Sequence, residues 1–240
     1  MKAIQILTAL ALVAAITVLP GCENKPADDI PRAVTNTEAP AEAPAEAPAE
    51  APMEAAPAEA PAEAAPAPEA AAPAGEPVTF AIVPNDENVI GFTGYKVTGK
   101  QQGGWAEYDG SVTLATGAIE SAAINITIEM QSLFSGSTML TDTLLTESWF
   151  NAKEFPQASF TSSKVEKAGD AYNVSGDLTL RGVTKNITFP AQISVDGDTL
   201  STQAKFAVNR SDWGIKDTGF AGDLVEDEVV IEFSVVANKA

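Results

Sequence analysis

The chain has 240 residues, with 33 acidic side chains against 14 basic ones and a formal net charge of −19. A charge of that sign and size repels nucleic acid and anionic lipid headgroups, so neither is an expected partner. With no histidine and a single cysteine, Ser-His and Cys-His catalysis, an internal disulfide and a thiolate metal cluster are all excluded.

Met1-Lys2 opens the chain, and the run from Ile6 to Leu19 is apolar. This run is shorter than the roughly 20 residues that a membrane-spanning helix needs. A charged start, a short apolar run and small residues at its end predict a secretory signal over residues 1–21. The signal closes on Leu19-Pro20-Gly21-Cys22. That sequence resembles the lipobox of bacterial lipoproteins, with Pro20 an unusual member, and the resemblance implies acylation of Cys22. Such an anchor exceeds the two-signal requirement for stable membrane attachment.

Residues 22–77 then read as the lipidated cysteine followed by a disordered linker rich in Ala, Pro and Glu. Residues 39–50 are three copies of Ala-Pro-Ala-Glu. A proline every fourth residue removes helix donors, and with no apolar face to bury the segment has no reason to fold. As extended chain, residues 39–75 would reach on the order of 100 Å. The segment reads either as a spacer from the membrane to the working domain or as neutral filler.

Residues 78–240 are the working domain. Two strands are predicted near 89–98 and 104–115, with shorter ones near 78–83 and 158–165. Period-two alternation is strongest along five runs. In the first, Ile124, Ile126, Ile128 and Met130 share a face. Tyr172, Val174, Leu178 and Leu180 share the second, and Ile187, Phe189, Ala191, Ile193 and Val195 the third. Leu200, Ala204, Phe206 and Val208 form the fourth, and Val229, Ile231, Phe233 and Val235 the last. Turn signals stand at Asp109-Gly110, Gly169-Asp170, Gly197-Asp198 and Gly222-Asp223. A short helix is predicted from Asp142 to Phe150, capped by Thr141 or Asp142. One apolar face per strand and about eight strands predict an all-β, antiparallel barrel with a short helical insertion, a closure that also removes exposed edges.

The stretch Leu178-Thr-Leu-Arg-Gly-Val-Thr-Lys-Asn-Ile-Thr-Phe189 reads as a hairpin. Its inward residues are even-numbered in one strand and odd-numbered in the other, so its tip holds an even number of residues. Val183-Thr184 at the tip would set Leu180 opposite Ile187, Leu178 opposite Phe189 and Gly176 opposite Ala191. Gly facing Ala reads either as room inside the barrel or as a bulge in its wall.

Four stretches carry a family resemblance. They are Gly110-Ser-Val-Thr-Leu114, Trp149-Phe-Asn-Ala-Lys-Glu-Phe-Pro-Gln-Ala-Ser-Phe160, Gly176-Asp-Leu-Thr-Leu-Arg-Gly-Val-Thr-Lys185 and Asn209-Arg-Ser-Asp-Trp-Gly214. In order and spacing they resemble the YceI-like family of bacterial secreted lipid-binding proteins. The resemblance implies a lipocalin-like, eight-stranded barrel enclosing a long polyisoprenoid chain, in a family that is exported, not generally catalytic, and includes binders of isoprenoid quinones. Two departures bear on the ligand. Family members often carry histidine in the helical segment and in the turn before Gly-Val-Thr-Lys, where this chain has Thr143-Leu-Leu-Thr-Glu147 and Arg181.

The candidate ligand lining is Ile126, Ile128, Met130, Phe150, Phe155, Phe160, Val174, Leu178, Phe189, Ile193, Phe206, Trp213 and Phe233. Plain core packing is the competing reading for each of them. Arg181 and Lys185, at the hairpin end, are candidates to meet a polar headgroup, with Arg210 either assisting or pairing with Asp212. The acidic run from Gly222 to Glu228 lacks the spacing of a calcium loop and reads as a solvated turn. The expected function is a membrane-tethered binding protein for an isoprenoid lipid or quinone, a carrier or sequesterer in the cell envelope, with no cofactor or metal. The alternative is a non-catalytic envelope module with a solid core.

Overall fold

The computed structural model describes residues 30–36, 76–85, 87–96, 98–216 and 225–240. The signal segment, Cys22 and the Ala-Pro-Ala-Glu repeats lie outside the described residues. Strand β1 (Val34–Asn36) comes first, then β2 (Val78–Ile82), β3 (Val89–Lys96), β4 (Gly99–Trp105) and β5 (Tyr108–Leu114). Next come β6 (Ala122–Glu129), β7 (Leu133–Ser135), helix α1 (Thr138–Leu145), β8 (Gln157–Ala168) and β9 (Ala171–Leu180). Strands β10 (Val183–Asp196), β11 (Thr199–Asn209) and β12 (Val225–Lys239) complete the chain.

All strand pairs in the wall are antiparallel, and the short strands combine into longer ones. β12 carries both β2 and β3 along one edge, with Lys239 opposite Phe80, Ser234 opposite Val89 and Val225 opposite Lys96. On their other side β2 pairs with β5 and β3 with β4. β6 and β7 likewise continue one another against β5 and β4, interrupted by a 3-10 turn at Met130–Ser132. The result is a closed eight-stranded antiparallel barrel with one short helix, each strand joined to its neighbours in chain order and the last returning to the first. Closure leaves no open edge at the start or end of the sheet, which is the physical reason a chain with five strongly alternating runs settles in this form.

The inner face holds the alternating apolar residues. At one end Phe80, Ile82, Leu114, Leu200, Val235 and Ala237 are at most 2% exposed and seal the base. Outer faces carry polar cross-strand pairs, such as Thr79 with Thr113 at 3.0 Å, Ser175 with Thr188 at 2.7 Å and Thr179 with Thr184 at 2.8 Å. The opposite, upper end gathers the β3–β4 and β9–β10 turns, α1, and a 3-10 turn at Arg210–Trp213.

Several expectations are corrected. The β9–β10 tip is Arg181-Gly182, so Leu180 faces Val183, Leu178 faces Lys185, Gly176 faces Ile187 and Val174 faces Phe189. Both tip residues have positive φ, 53° and 72°, as a two-residue type I′ hairpin requires, and a β-branched Val-Thr pair cannot adopt that geometry cheaply. The space above Gly176 is filled. A Cβ there would lie 2.5 Å from the Phe160 ring, and the adjoining register shift falls in β8 between Ser162 and Lys164. Asp109-Gly110 is not a turn but lies within β5, where a Cβ on Gly110 would come within 2.5 Å of the Asn125 carbonyl. The helix starts at Thr138, four residues ahead of Asp142, and ends at Leu145, with no side-chain cap at Ser137. Residues 225–228 begin β12, so the acidic run is in part wall strand; its Gly222-Asp223 end lies outside the described residues.

Strand β1 stands within the stretch read as linker. It pairs with β10, Val34 opposite Thr188 and Asn36 opposite Asn186. Arg32 bridges Ala207 of β11 in parallel sense. β10 and β11 pair directly only from Ala191–Ala204 down to Asp196–Thr199. Pro190, which has no N–H to give, stands one residue beyond the last of those partners. Above it the two strands part, and residues 31–36 occupy the seam.

Candidate functional site

The barrel interior contains two apolar chambers. The lower has a cavity volume of about 130 Å³ and lies among strands only. The upper, of about 120 Å³, is covered by α1 and the loops of the upper end. Trp105, Leu178, Leu180 and Ile231 line both and form the partition between them. An apolar cavity of about 150 Å³ stays dry and accepts an apolar guest such as benzene. Each chamber approaches that size.

Alternation on neighbouring strands puts Ile126, Ile128, Phe160, Val174, Leu178, Phe189, Ile193, Phe206 and Phe233 around the lower chamber. Four of these are phenylalanines in mutual contact. Phe189 and Phe206 stack at 4.2 Å between ring centroids, Phe160 leans on Phe189 at 5.5 Å, and Phe233 meets Phe189 edge-on at 5.9 Å. Their offset and edge-on geometries are those that aromatic quadrupoles favour.

Phe150 and Trp213 line the upper chamber, with Leu178 reaching into both. Met130 and Phe155 line neither. The 3-10 turn that follows Glu129 ends the alternation of β6, so Met130 is packed into the core, 1% exposed. Phe155 lies outside, against the β9–β10 turn, where a Cβ on Gly182 would come within 2.6 Å of its ring.

The upper chamber also contains residues that sequence reasoning missed. Leu140 and Leu144 of α1 point into it, four apart on one helical face. Trp105 packs against Phe92 at 5.3 Å and Phe150 at 6.0 Å. The apolar spacing of α1 was a usable signal for the two leucines. Nothing comparable marked Trp105, because the pair Ala106-Glu107 interrupts its strand. Trp105 Nε1 and Tyr108 Oη are buried without a hydrogen-bond partner among the described residues. Burial also pushes the Tyr108 phenol above its ordinary pKa.

The three candidate headgroup cations fall in different places. Arg210 is 4% exposed and lines the upper chamber. Asn209 accepts hydrogen bonds from the Ser211 amide at 2.9 Å and hydroxyl at 2.6 Å, and the resulting turn aims Arg210 inward. Its guanidinium donates to the carbonyls of Glu226 at 3.1 Å, Val225 at 3.2 Å and Ile215 at 3.5 Å, and to the Asp227 carboxylate at 3.1 Å. It also lies 5.3 Å from the centroid of the Trp149 ring. The expected Arg210–Asp212 pair is therefore not formed. Asp212 faces outward and accepts from the Thr35 hydroxyl at 3.3 Å.

Arg181 donates to the Gly214 carbonyl at 2.6 Å and the Glu147 carbonyl at 2.8 Å, joining the hairpin to the loops after α1 and after the 3-10 turn. Lys185 stands opposite Leu178 but lines neither chamber, and it makes no ion pair among the described residues. The hairpin cation Arg181 thus closes the upper end, and the buried Arg210 is the one that reaches the void.

The model of the YceI-like domain matches residues 80–237. Protein YceI of Escherichia coli is 32% identical over 121 residues, 50% of this chain and 57% of that protein, so the chain spans little more than half the length of this curated relative. The crystal structure of BcnA from Burkholderia cenocepacia superposes with a TM-score of 0.59 at 28% identity, covering 65% of this chain and 99% of that one. A polyisoprenoid binding domain from Saccharophagus degradans, implicated in plant cell wall breakdown, superposes with a TM-score of 0.54 over 68% of this chain and 98% of its own; at 13% identity the likeness is one of fold. The family match covers about two thirds of the chain, and the chain belongs to the YceI-like family.

Proposed function

From that membership we propose that the chain binds one long apolar lipid of the isoprenoid class, a polyprenyl chain or the tail of an isoprenoid quinone, along its two chambers. Acylation at Cys22 would tether it to a membrane, with the barrel in the periplasm or on the cell surface, where it carries or sequesters the lipid. The observation that carries this reading is the adjoining pair of apolar voids in the barrel axis. A solid module would have interlocking side chains there instead. The ligand class named for the Saccharophagus degradans domain agrees with the chemistry of this lining.

Each methylene moved from water into such a lining contributes about 0.8 kcal/mol. Ten buried carbons offer roughly 8 kcal/mol, near micromolar affinity before the cost of ordering a flexible chain. With so few polar atoms facing the voids, selection rests on the width and length of the guest. Arg210 spends its donors on the protein itself, so it is not a free cation for a charged headgroup. The polar end of the ligand would stay at the upper rim.

The test is to produce the full chain with its own signal in a bacterium, extract it in mild detergent, and apply native mass spectrometry with lipid extraction. A prenyl lipid in near-stoichiometric amount, and uptake of added isoprenoid quinone by stripped protein, are expected. Protein that is repeatedly empty and refuses the quinone would sink the reading.

A further inference from the structure

The family match begins at residue 80, yet the barrel wall contains residues from ahead of the repeats. Segment 30–36 is held by several independent contacts. The Ala33 amide donates to the Ala207 carbonyl at 2.9 Å, and the Ala207 amide donates to the Pro31 carbonyl at 3.0 Å. The Asn36 amide group donates to Asn186 at 2.8 Å and Thr188 at 3.0 Å. Arg32 pairs with Glu228. Ile30 packs on a small outer cluster of Ala207 and Val230, together with Tyr95. Ala207 and Val230 are 2% and 1% exposed although they sit on the outer side of the wall.

We infer that segment 30–36 is a clamp that holds the barrel close to the membrane, and that the Ala-Pro-Ala-Glu segment, joined at both ends to the barrel, is not the spacer. This rests on the proposed acylation of Cys22. Residues 23–29 alone separate that cysteine from Ile30, so eight steps of fully extended chain allow at most about 28 Å. Residues 37–77 begin at Asn36 and end at Val78, both in wall strands, so their length adds nothing to the distance between barrel and bilayer. Tyr95 lines the upper chamber and packs on the same cluster as Ile30. The anchor therefore meets the barrel beside the chamber closed by loops. That position shortens the path of an apolar guest between the bilayer and the void.

The experiment uses the full lipoprotein reconstituted in phosphatidylcholine vesicles. A fluorophore on a cysteine introduced at Asp170, in the β8–β9 turn, transfers energy to acceptor-labelled lipid. Flotation with the vesicles reports the anchor separately. Duplicating residues 39–75 is expected to leave transfer unchanged. The variant Ala33→Pro, Asn36→Ala and Arg32→Ala removes the Ala33 amide donor, the Asn36 side-chain donors and the Arg32–Glu228 pair, and transfer is expected to fall by at least about twofold as the whole linker extends. A fall of that size on duplication alone, in the otherwise unaltered protein, overturns the inference. Protein that does not float refutes the anchor and with it the short distance. Hydrogen exchange then decides the clamp by itself: slow Ala33 and Ala207 amides show it seated, and fast exchange at both shows it absent.

Discussion

The two chambers share four wall residues yet are built in different ways. The lower is enclosed by strands, and every side chain around it is aimed by a ladder of backbone hydrogen bonds. The upper owes over a third of its lining to α1, residues 149–150 and the segment 210–215. Side-chain hydrogen bonds help hold these to the barrel, from Arg181 at the rim, from Arg210 inside, and from the Trp213 indole to the Leu178 carbonyl. A cavity set by ladders keeps its shape unless the whole sheet opens. One set by a few side-chain contacts opens at a lower cost. On the proposed function, the lower chamber is the fixed end that would measure a guest, and the upper is the end through which it would pass.

The largest way to break this contrast is Arg210→Met. It leaves the carbonyls of Ile215, Val225 and Glu226 short of a donor, at an expected cost of about 2–4 kcal/mol. Urea denaturation should give a lower midpoint with an unchanged slope. A midpoint equal to that of the parent would mean that the upper end does not depend on this cation. Next is Ala191→Leu, which pushes three further carbons into the lower chamber. Displacing that much guest should weaken binding of the longest prenyl chains by about 2 kcal/mol, roughly thirtyfold. Short chains should be nearly unaffected, and a chain-length series in a displacement assay reads the difference. Equal losses at all lengths would show that the lower chamber does not measure the guest.

Trp105→Phe acts on the partition. It deletes a buried N–H that has no partner among the described residues. If a quinone oxygen accepts from that group, the variant should lose about 1 kcal/mol of affinity for quinone and little for a plain polyprenyl hydrocarbon. Matched losses for both ligands would remove the donor from the account. The smallest effect is expected from Lys185→Glu at the rim, about 0.5 kcal/mol against a diphosphate-headed lipid and none against a neutral quinone, and weaker still in high salt. Titrations of the two ligands at two ionic strengths would separate it from a purely structural change.

Fold class was legible because alternation is a direct consequence of a wall with one greasy side, and five runs displayed it. The lower chamber was legible for the same reason: Phe189, Phe206 and Phe233 lie on those faces, and Phe160 falls in the strand expected near 158–165. The hairpin register was not, although the information was present. Parity allowed any even tip, and the deciding fact was that Arg181-Gly182 tolerates positive φ where Val183-Thr184 does not. The partners of Arg210 were not legible, because its inward aim depends on the turn capped by Asn209 and on Asp227 and carbonyls from Val225 and Glu226, which are distant in sequence. Strand β1 was hidden by its surroundings. Three residues beside a long repeat carry no periodicity, and the seam that receives them appears only once β10 and β11 are seen to part above Pro190.

The closing strand has a further consequence. β12 ends at Lys239 and joins both halves of the broken first strand. The cylinder is therefore sealed by the residues of β12, which are synthesised after the other strands of the wall. Until they arrive, the oily lumen stands open along its whole length, with two unpaired edges inviting contact with other chains. An enclosed void does not exist before that moment, and a chain cut short ahead of Val225 would be a candidate for chaperones and proteases.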